Sequence, residues 1–220
     1  MTTIGFFGKV PTRGDFVRRA LPATFLTPWD DWLQEGIVGA KEILGESWLD
    51  IYLTSPVWRF ALAAELVGAP AVAGVLMPSV DSVGRYFPFT LACVLDDAAA
   101  PMQLRAESDW FGHAEALALG VLAEDGSLDE LIEGLDALGC PAPARPIPLD
   151  EDLWRFDEAA DRLTQALVAR CPLPHALFWT QGSTRVGPTT LFVRQLPAAR
   201  QFAALLDGAW SEHGWREAAS

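Results

Sequence analysis

Three apolar runs follow one another too closely to be joined by helices. They are Val57–Ala63, Ala71–Met77 and Phe87–Leu95, the last containing Thr90-Leu91-Ala92-Cys93-Val94-Leu95. The first two flank a turn at Gly68-Ala69-Pro70, and the third follows a polar loop that begins at Pro78. A parallel crossover needs a dozen or more residues, so such short connections dictate antiparallel neighbours. Ile4–Val10, ended by Pro11, reads as a further strand, expected in the same sheet as Phe87–Leu95. Ala176–Thr180 and Leu191–Gln195 read as a later hairpin with Gly182 and Gly187 in its turn.

Helical periodicity fills the intervals. Phe25, Trp29, Trp32, Leu33, Ile37, Ala40 and Leu44 recur at three- and four-residue steps and draw one apolar face. Thr27 is the expected N-cap, Pro28 the expected first helical residue, and Gly45 the expected stop. Trp29 and Trp32 are then core anchors, with Trp58 and Phe60 buried beside them, while Asp30, Asp31 and Glu35 face solvent. Trp110, Ala114, Leu117, Ala118, Val121 and Leu122 form a second stripe. Ser127 and Glu130 make a capping box ahead of Leu128, Leu131, Ile132, Leu135 and Leu138, closed by Gly139 and Pro141. Asp157–Ala169 and Ala199–Trp210 are the remaining helices. The stretch Cys140–Asp152, with Pro141, Pro143, Pro146 and Pro148, reads as a semi-rigid surface connector. The pattern predicts one α+β domain over residues 1–220, a largely antiparallel mixed sheet with helices packed on it and this connector (about 140–152) inside it.

The balance of 29 acidic against 16 basic residues gives a net charge of −13. That excludes non-specific nucleic-acid binding and attraction to anionic membranes, which need a basic footprint. Ala61–Val80 is apolar but broken by Glu65, Pro70 and Pro78, so no membrane insertion is expected. Ile4–Phe7 is too short for a signal-peptide core. The three cysteines, Cys93, Cys140 and Cys171, are odd in number and lack a CxxC spacing. They read as reduced thiols of a cytoplasmic protein, with no disulfide framework and no zinc site.

Catalytic patterns are absent. His113, His175 and His213 share no metal-ligand spacing, and there is no GxSxG. Gly5 to Lys9 has the spacing GxxGK followed by Val10, short of a phosphate loop and without its hydroxyl. No cofactor is implied. What remains are two polar loops. One runs through Lys9, Arg13, Gly14 and Asp15; the other packs Ser79, Asp81, Ser82, Gly84 and Arg85 ahead of Tyr86. Arg13-Gly14-Asp15 spells an adhesion tripeptide, but that tripeptide is common by chance and adhesion demands a secreted protein, so a tight turn is the better account. If the loops converge in a concave pocket with perturbed carboxylates, Arg13, Asp15, Asp81 and Arg85 could serve a small-ligand or phosphate-handling enzyme. If the arginines bind only local carbonyls and acids, that reading fails.

Three blocks, "GFFGKVPTRGDFVRRALPATFLTPWDDWL", "SWLDIYLTSPVWRFAL" and "GVLMPSVDSVGRYFPFTLACVL", resemble in order and spacing the TagF family of type VI secretion-associated proteins. The resemblance covers about residues 4 to 95. It implies a cytoplasmic, non-enzymatic accessory protein that represses type VI secretion post-translationally. It further implies that repression acts through the system's forkhead-associated scaffold protein, Fha. Some members are fused to a serine/threonine phosphatase domain, whose metal-binding aspartate motifs are not found in this sequence. On this reading the candidate partner-binding residues are Lys9, Arg13, Asp15, Asp81, Arg85 and Tyr86.

Overall fold

Seven strands form one sheet: β1 (Thr3–Gly8), β2 (Val17–Arg19), β3 (Trp58–Leu62), β4 (Val72–Met77), β5 (Phe89–Val94), β6 (Ala176–Thr180) and β7 (Thr189–Val193). They come from a computed structural model that describes residues 2–68, 70–96, 99, 101–105, 108–123, 125–143 and 175–216. The strand order is β2-β1-β5-β4-β3-β6-β7. Among the described residues every pairing is antiparallel, so the sheet seen there is not mixed. β1 lies directly against β5, with Ile4 opposite Cys93 and Phe6 opposite Leu91. The predicted helix Asp157–Ala169, Cys171, and the connector from residue 144 to Asp152 lie outside the described residues.

Helices cover both faces. On one lie α1 (Ala23–Leu44), α2 (Trp48–Leu53) and α6 (Ala199–Asp207), packed over Phe7, Trp58, Phe60, Leu62, Leu76 and Phe178. On the other lie α3 (Pro101–Arg105), α4 (Ser108–Gly120) and α5 (Leu128–Leu138), packed over Phe6, Ala61, Val75, Phe89, Leu91 and Trp179. Adjacent strand residues point to opposite faces, and here both faces are apolar. The central strands therefore read as unbroken hydrophobic runs, a pattern more often met in parallel sheets. Trp29, Trp32, Trp58 and Phe60 are all buried.

α1 begins earlier than its local signals indicate. Its first residue is Ala23 and Pro28 sits inside it, with Pro22 rather than Thr27 at the N-cap. Starting there puts the fully buried Phe25 on the helix. That burial outweighs the single backbone donor lost at Pro28. The helix ends as expected at Gly45, whose φ of 54° is costly for other residues. Ser127 caps α5 by accepting from the amides of Asp129 and Glu130, and Gly139 closes it. Where α1 crosses α6 the backbones approach closely. A Cβ on Gly36 would lie 2.6 Å from the Phe202 ring, and one on Gly39 would lie 2.5 Å from the Ala199 Cβ.

The cysteines depart from expectation. Cys93 of β5 is joined by a disulfide to Cys140, just past α5, with a Cα–Cα distance of 5.7 Å. One bridge with one cysteine left over is compatible with an odd count, which the absence of a CxxC spacing could not reveal. The bridge ties the α5 end to the sheet across a separation of 47 residues. A loop of that length corresponds to about 4 kcal/mol of lost chain entropy, and measured losses usually fall at about 2–4 kcal/mol. Protein fully oxidised in air and then denatured is expected to show one titratable thiol per chain, and reduction should lower the chemical denaturation midpoint accordingly. Three thiols persisting after oxidation would refute the pairing.

Candidate functional site

The two polar loops meet at one end of the sheet. β1 ends at Gly8, whose φ of +140° and close approach to the Pro88 carbonyl (a Cβ would lie 2.2 Å from it) admit no side chain. The chain then turns so that Lys9 points inward. Its Nζ lies 2.5 Å from Asp81 Oδ2, and both side chains are almost wholly buried, at 6% and 0% exposure. Ser79 Oγ donates to the Lys9 carbonyl at 2.7 Å. The Tyr52 hydroxyl, from α2, accepts from the Ser79 amide and donates to the Ser79 carbonyl, each at 2.9 Å. Burial pushes that phenol well above its ordinary range.

Asp81 is the hub. Its Oδ1 accepts from the amides of Val83 at 3.1 Å and Arg85 at 2.8 Å. Its Oδ2 accepts from Lys9 and from Arg85 Nε at 2.7 Å. Burial alone would favour the protonated acid, but the hydrogen bonds from Lys9, from the Arg85 amide and side chain, and from Val83 outweigh it. They hold the carboxyl far below the usual carboxylate range. The loops are stitched again further out: the Ser82 amide donates to the Arg13 carbonyl at 3.0 Å, and Arg85 Nη2 donates to the Gly14 carbonyl.

Sequence-predicted residues thus separate into two layers. Lys9 and Asp81 are interior, and Arg85 spans the layers, bound to Asp81 and Gly14. Tyr86 is half-buried, edge-on to Trp48 and Tyr52. Arg13 and Asp15 are exposed. The Arg13 guanidinium donates to the Thr12 carbonyl at 3.2 Å, and Asp15 Oδ1 accepts from the Phe16 amide at 2.8 Å. Ser79, named in the second loop, lies inside, and three residues that sequence reasoning did not single out belong here too: Tyr52 inside, and Phe16 and Val83 outside, at 44% and 67% exposure. Phe16 carried a readable signal, a large apolar residue directly after a glycine-rich polar turn.

The loops converge, as an enzyme would require, but the interior groups Lys9, Asp81 and Ser79 are spent on one another and on the loop backbone. Asp81 has both oxygens occupied and its proton affinity lowered, the opposite of a general base poised near neutrality. Among the described residues no three His, Cys, Asp or Glu side chains gather as a metal site would need.

Fold and site define a class: an all-antiparallel seven-stranded sheet covered on both faces, with two end loops locked around a buried ion pair. The chain belongs to the TagF family, since the family model "TagF N-terminal domain, Type VI secretion system-associated" matches residues 5–138. It is thus a type VI secretion-associated protein. The crystal structure of PA0076 from Pseudomonas aeruginosa PAO1 is similar over 99% of this chain and 97% of that one, at 38% identity and a TM-score of 0.82. No curated protein matches the chain. The family match stops at α5, whereas β6, β7 and α6 lie beyond it and complete the sheet and its α1-side core. Among the described residues no helix is long and apolar enough to cross a membrane.

Proposed function

We propose that this chain is a non-enzymatic, cytoplasmic regulator that restrains type VI secretion by binding the system's Fha-type scaffold. The paired loops are the contact: Arg13, Asp15, Arg85 and Tyr86 face or border the partner, and Lys9 and Asp81 hold them in place. The observation that carries this reading is the division of the loops into a saturated interior and an exposed rim. A buried hub without free valence has a structural task, while the exposed Arg13 and Asp15 are available to another molecule. Arginine beside aromatic residues is the usual composition of a binding hot spot. In a reducing cytoplasm the Cys93–Cys140 pair would be held mainly as thiols, so the dithiol form sets the working stability.

Binding of the purified chain to the scaffold, followed by calorimetry and by secretion in the host, tests the proposal. Arg13→Ala is expected to leave the Tm unchanged, weaken scaffold binding at least tenfold, about 1.4 kcal/mol, and derepress secretion. Arg85→Ala is expected to lower the Tm as well, because it removes a brace between the loops. Failure of the wild-type chain to bind the scaffold would sink the proposal. So would metal-independent or metal-dependent turnover that Asp81→Ala abolishes without unfolding, since that outcome belongs to the enzyme alternative.

A further inference from the structure

We infer that the surface this protein docks onto is acidic and carries an apolar recess, and that Phe16, set between Arg13 and Arg18, is the anchor that enters it. The inference rests on the proposed scaffold-binding function and adds the chemistry of the partner and the residue at the centre of contact.

Phe16 is exposed yet firmly held. Its ring stacks on Phe7 at 5.5 Å with only 9° between planes, and meets Phe87 edge-on at 4.9 Å. Lys9 Nζ sits 4.6 Å from its centroid. Phe7 and Phe87 are buried core residues, so the ring is fixed from beneath and leaves 44% of its surface to water. A side chain already immobilised loses little further freedom on binding, which is what makes rigid aromatics good anchors.

The neighbouring charge is of the wrong sign for this molecule as a whole. Arg18 lies opposite Phe7 in the β1–β2 register, so it shares the face on which Phe16 stacks. Among the described residues neither Arg13 nor Arg18 has an acid within ion-pair distance, whereas Lys9, Arg19 and Arg85 each do. The chain as a whole carries −13. An acidic partner is therefore repelled by the net charge of the molecule and attracted at the loop end, where Arg13 and Arg18 outnumber the exposed Asp15. Such a field sets orientation and encounter rate, while the buried aromatic sets the dissociation rate.

The test uses the full chain and the purified Fha-type scaffold, with affinity measured across a salt series. Phe16→Ala is expected to weaken binding tenfold or more while staying folded at the assay temperature, with a somewhat lower Tm from the lost contacts to Phe7 and Phe87, and Phe16→Leu to weaken it less. The double variant R13E/R18E is expected to weaken binding at least tenfold and to flatten its dependence on salt. Wild-type-like affinity in Phe16→Ala, or an unchanged salt dependence in R13E/R18E, overturns the inference while leaving scaffold binding intact. If Phe16→Ala proves unstable, Phe16→Leu and R13E/R18E decide by the same criteria. A wild-type chain that does not bind the scaffold at all overturns the proposed function first, and this inference with it.

Discussion

Trp29→Ala is expected to destabilise the protein by about 3–5 kcal/mol, the cost of emptying a large aromatic site that cannot collapse. Trp29 is fully buried, and its ring lies 5.4 Å from Phe25, 4.7 Å from Trp32 and 4.6 Å from Phe60. It therefore joins α1 to β3 of the sheet. Its Nε1 also donates to the Thr90 hydroxyl at 3.0 Å, inside β5. Truncation leaves that wholly buried hydroxyl without its donor, an additional penalty. Trp29→Phe restores most of the volume but not the N–H, so its loss should be clearly smaller. Urea denaturation reads both, as a lower midpoint with an unchanged slope. A loss below about 1 kcal/mol for Trp29→Ala would mean that α1 does not pack on the sheet as described.

Much of this core was legible because its signals are local. The three- and four-residue spacing of α1 and the capping box at Ser127 need no knowledge of the rest of the chain. Neither do the short links between β3, β4 and β5. What was missed depends on partners distant in sequence. β2 is three residues, Val17-Arg18-Arg19, with no strand pattern; it is a strand because β1 pairs with it. α2 is six residues, too short for a period to show. Thr27-Pro28 is a strong local start signal, yet burial of Phe25 overrides it. The second layer of helices could not be inferred from strands such as β4, apolar at every position, because such strands do not say which faces are covered.

The site divides along the same line. Each loop could be recognised as polar, glycine-bearing and carried by strands. That Lys9 and Asp81 meet across 72 residues could not, because nothing near either residue specifies the other. Arg85 and Asp81 are four apart, so an Asp–Arg pair within the loop was within reach of local reasoning, and it forms. Phe16 was passed over because an apolar residue normally signals core. Here the space beneath it is already filled by Phe7 and Phe87.

Lys9→Met should then test the hub itself. The methionine keeps most of the lysine stem while removing the charge, so packing changes little and the buried ion pair is broken. Removing one member of such a pair typically costs about 3–5 kcal/mol, because the other charge stays buried. Lys9→Met is expected at the lower end, about 3 kcal/mol, since Asp81 retains Arg85 and two amides. Asp81→Asn should also destabilise, and its effect should depend on pH. The folded-state carboxyl is held well below its ordinary value, near 3.9 in an unfolded chain. Between the folded and unfolded values the unfolded state therefore binds more protons. The contribution to stability is complete above the unfolded value and is lost as pH falls from there toward the folded one. The stability gap between wild type and Asp81→Asn should be constant from pH 7 to about 5 and shrink below about 4. A gap that stays level down to pH 3 would mean that the carboxylate is not held in this way. Residual scaffold binding by these two variants should track the fraction folded, whereas Phe16→Ala should lose binding while fully folded. That contrast separates the residues that build the loop pair from those that use it.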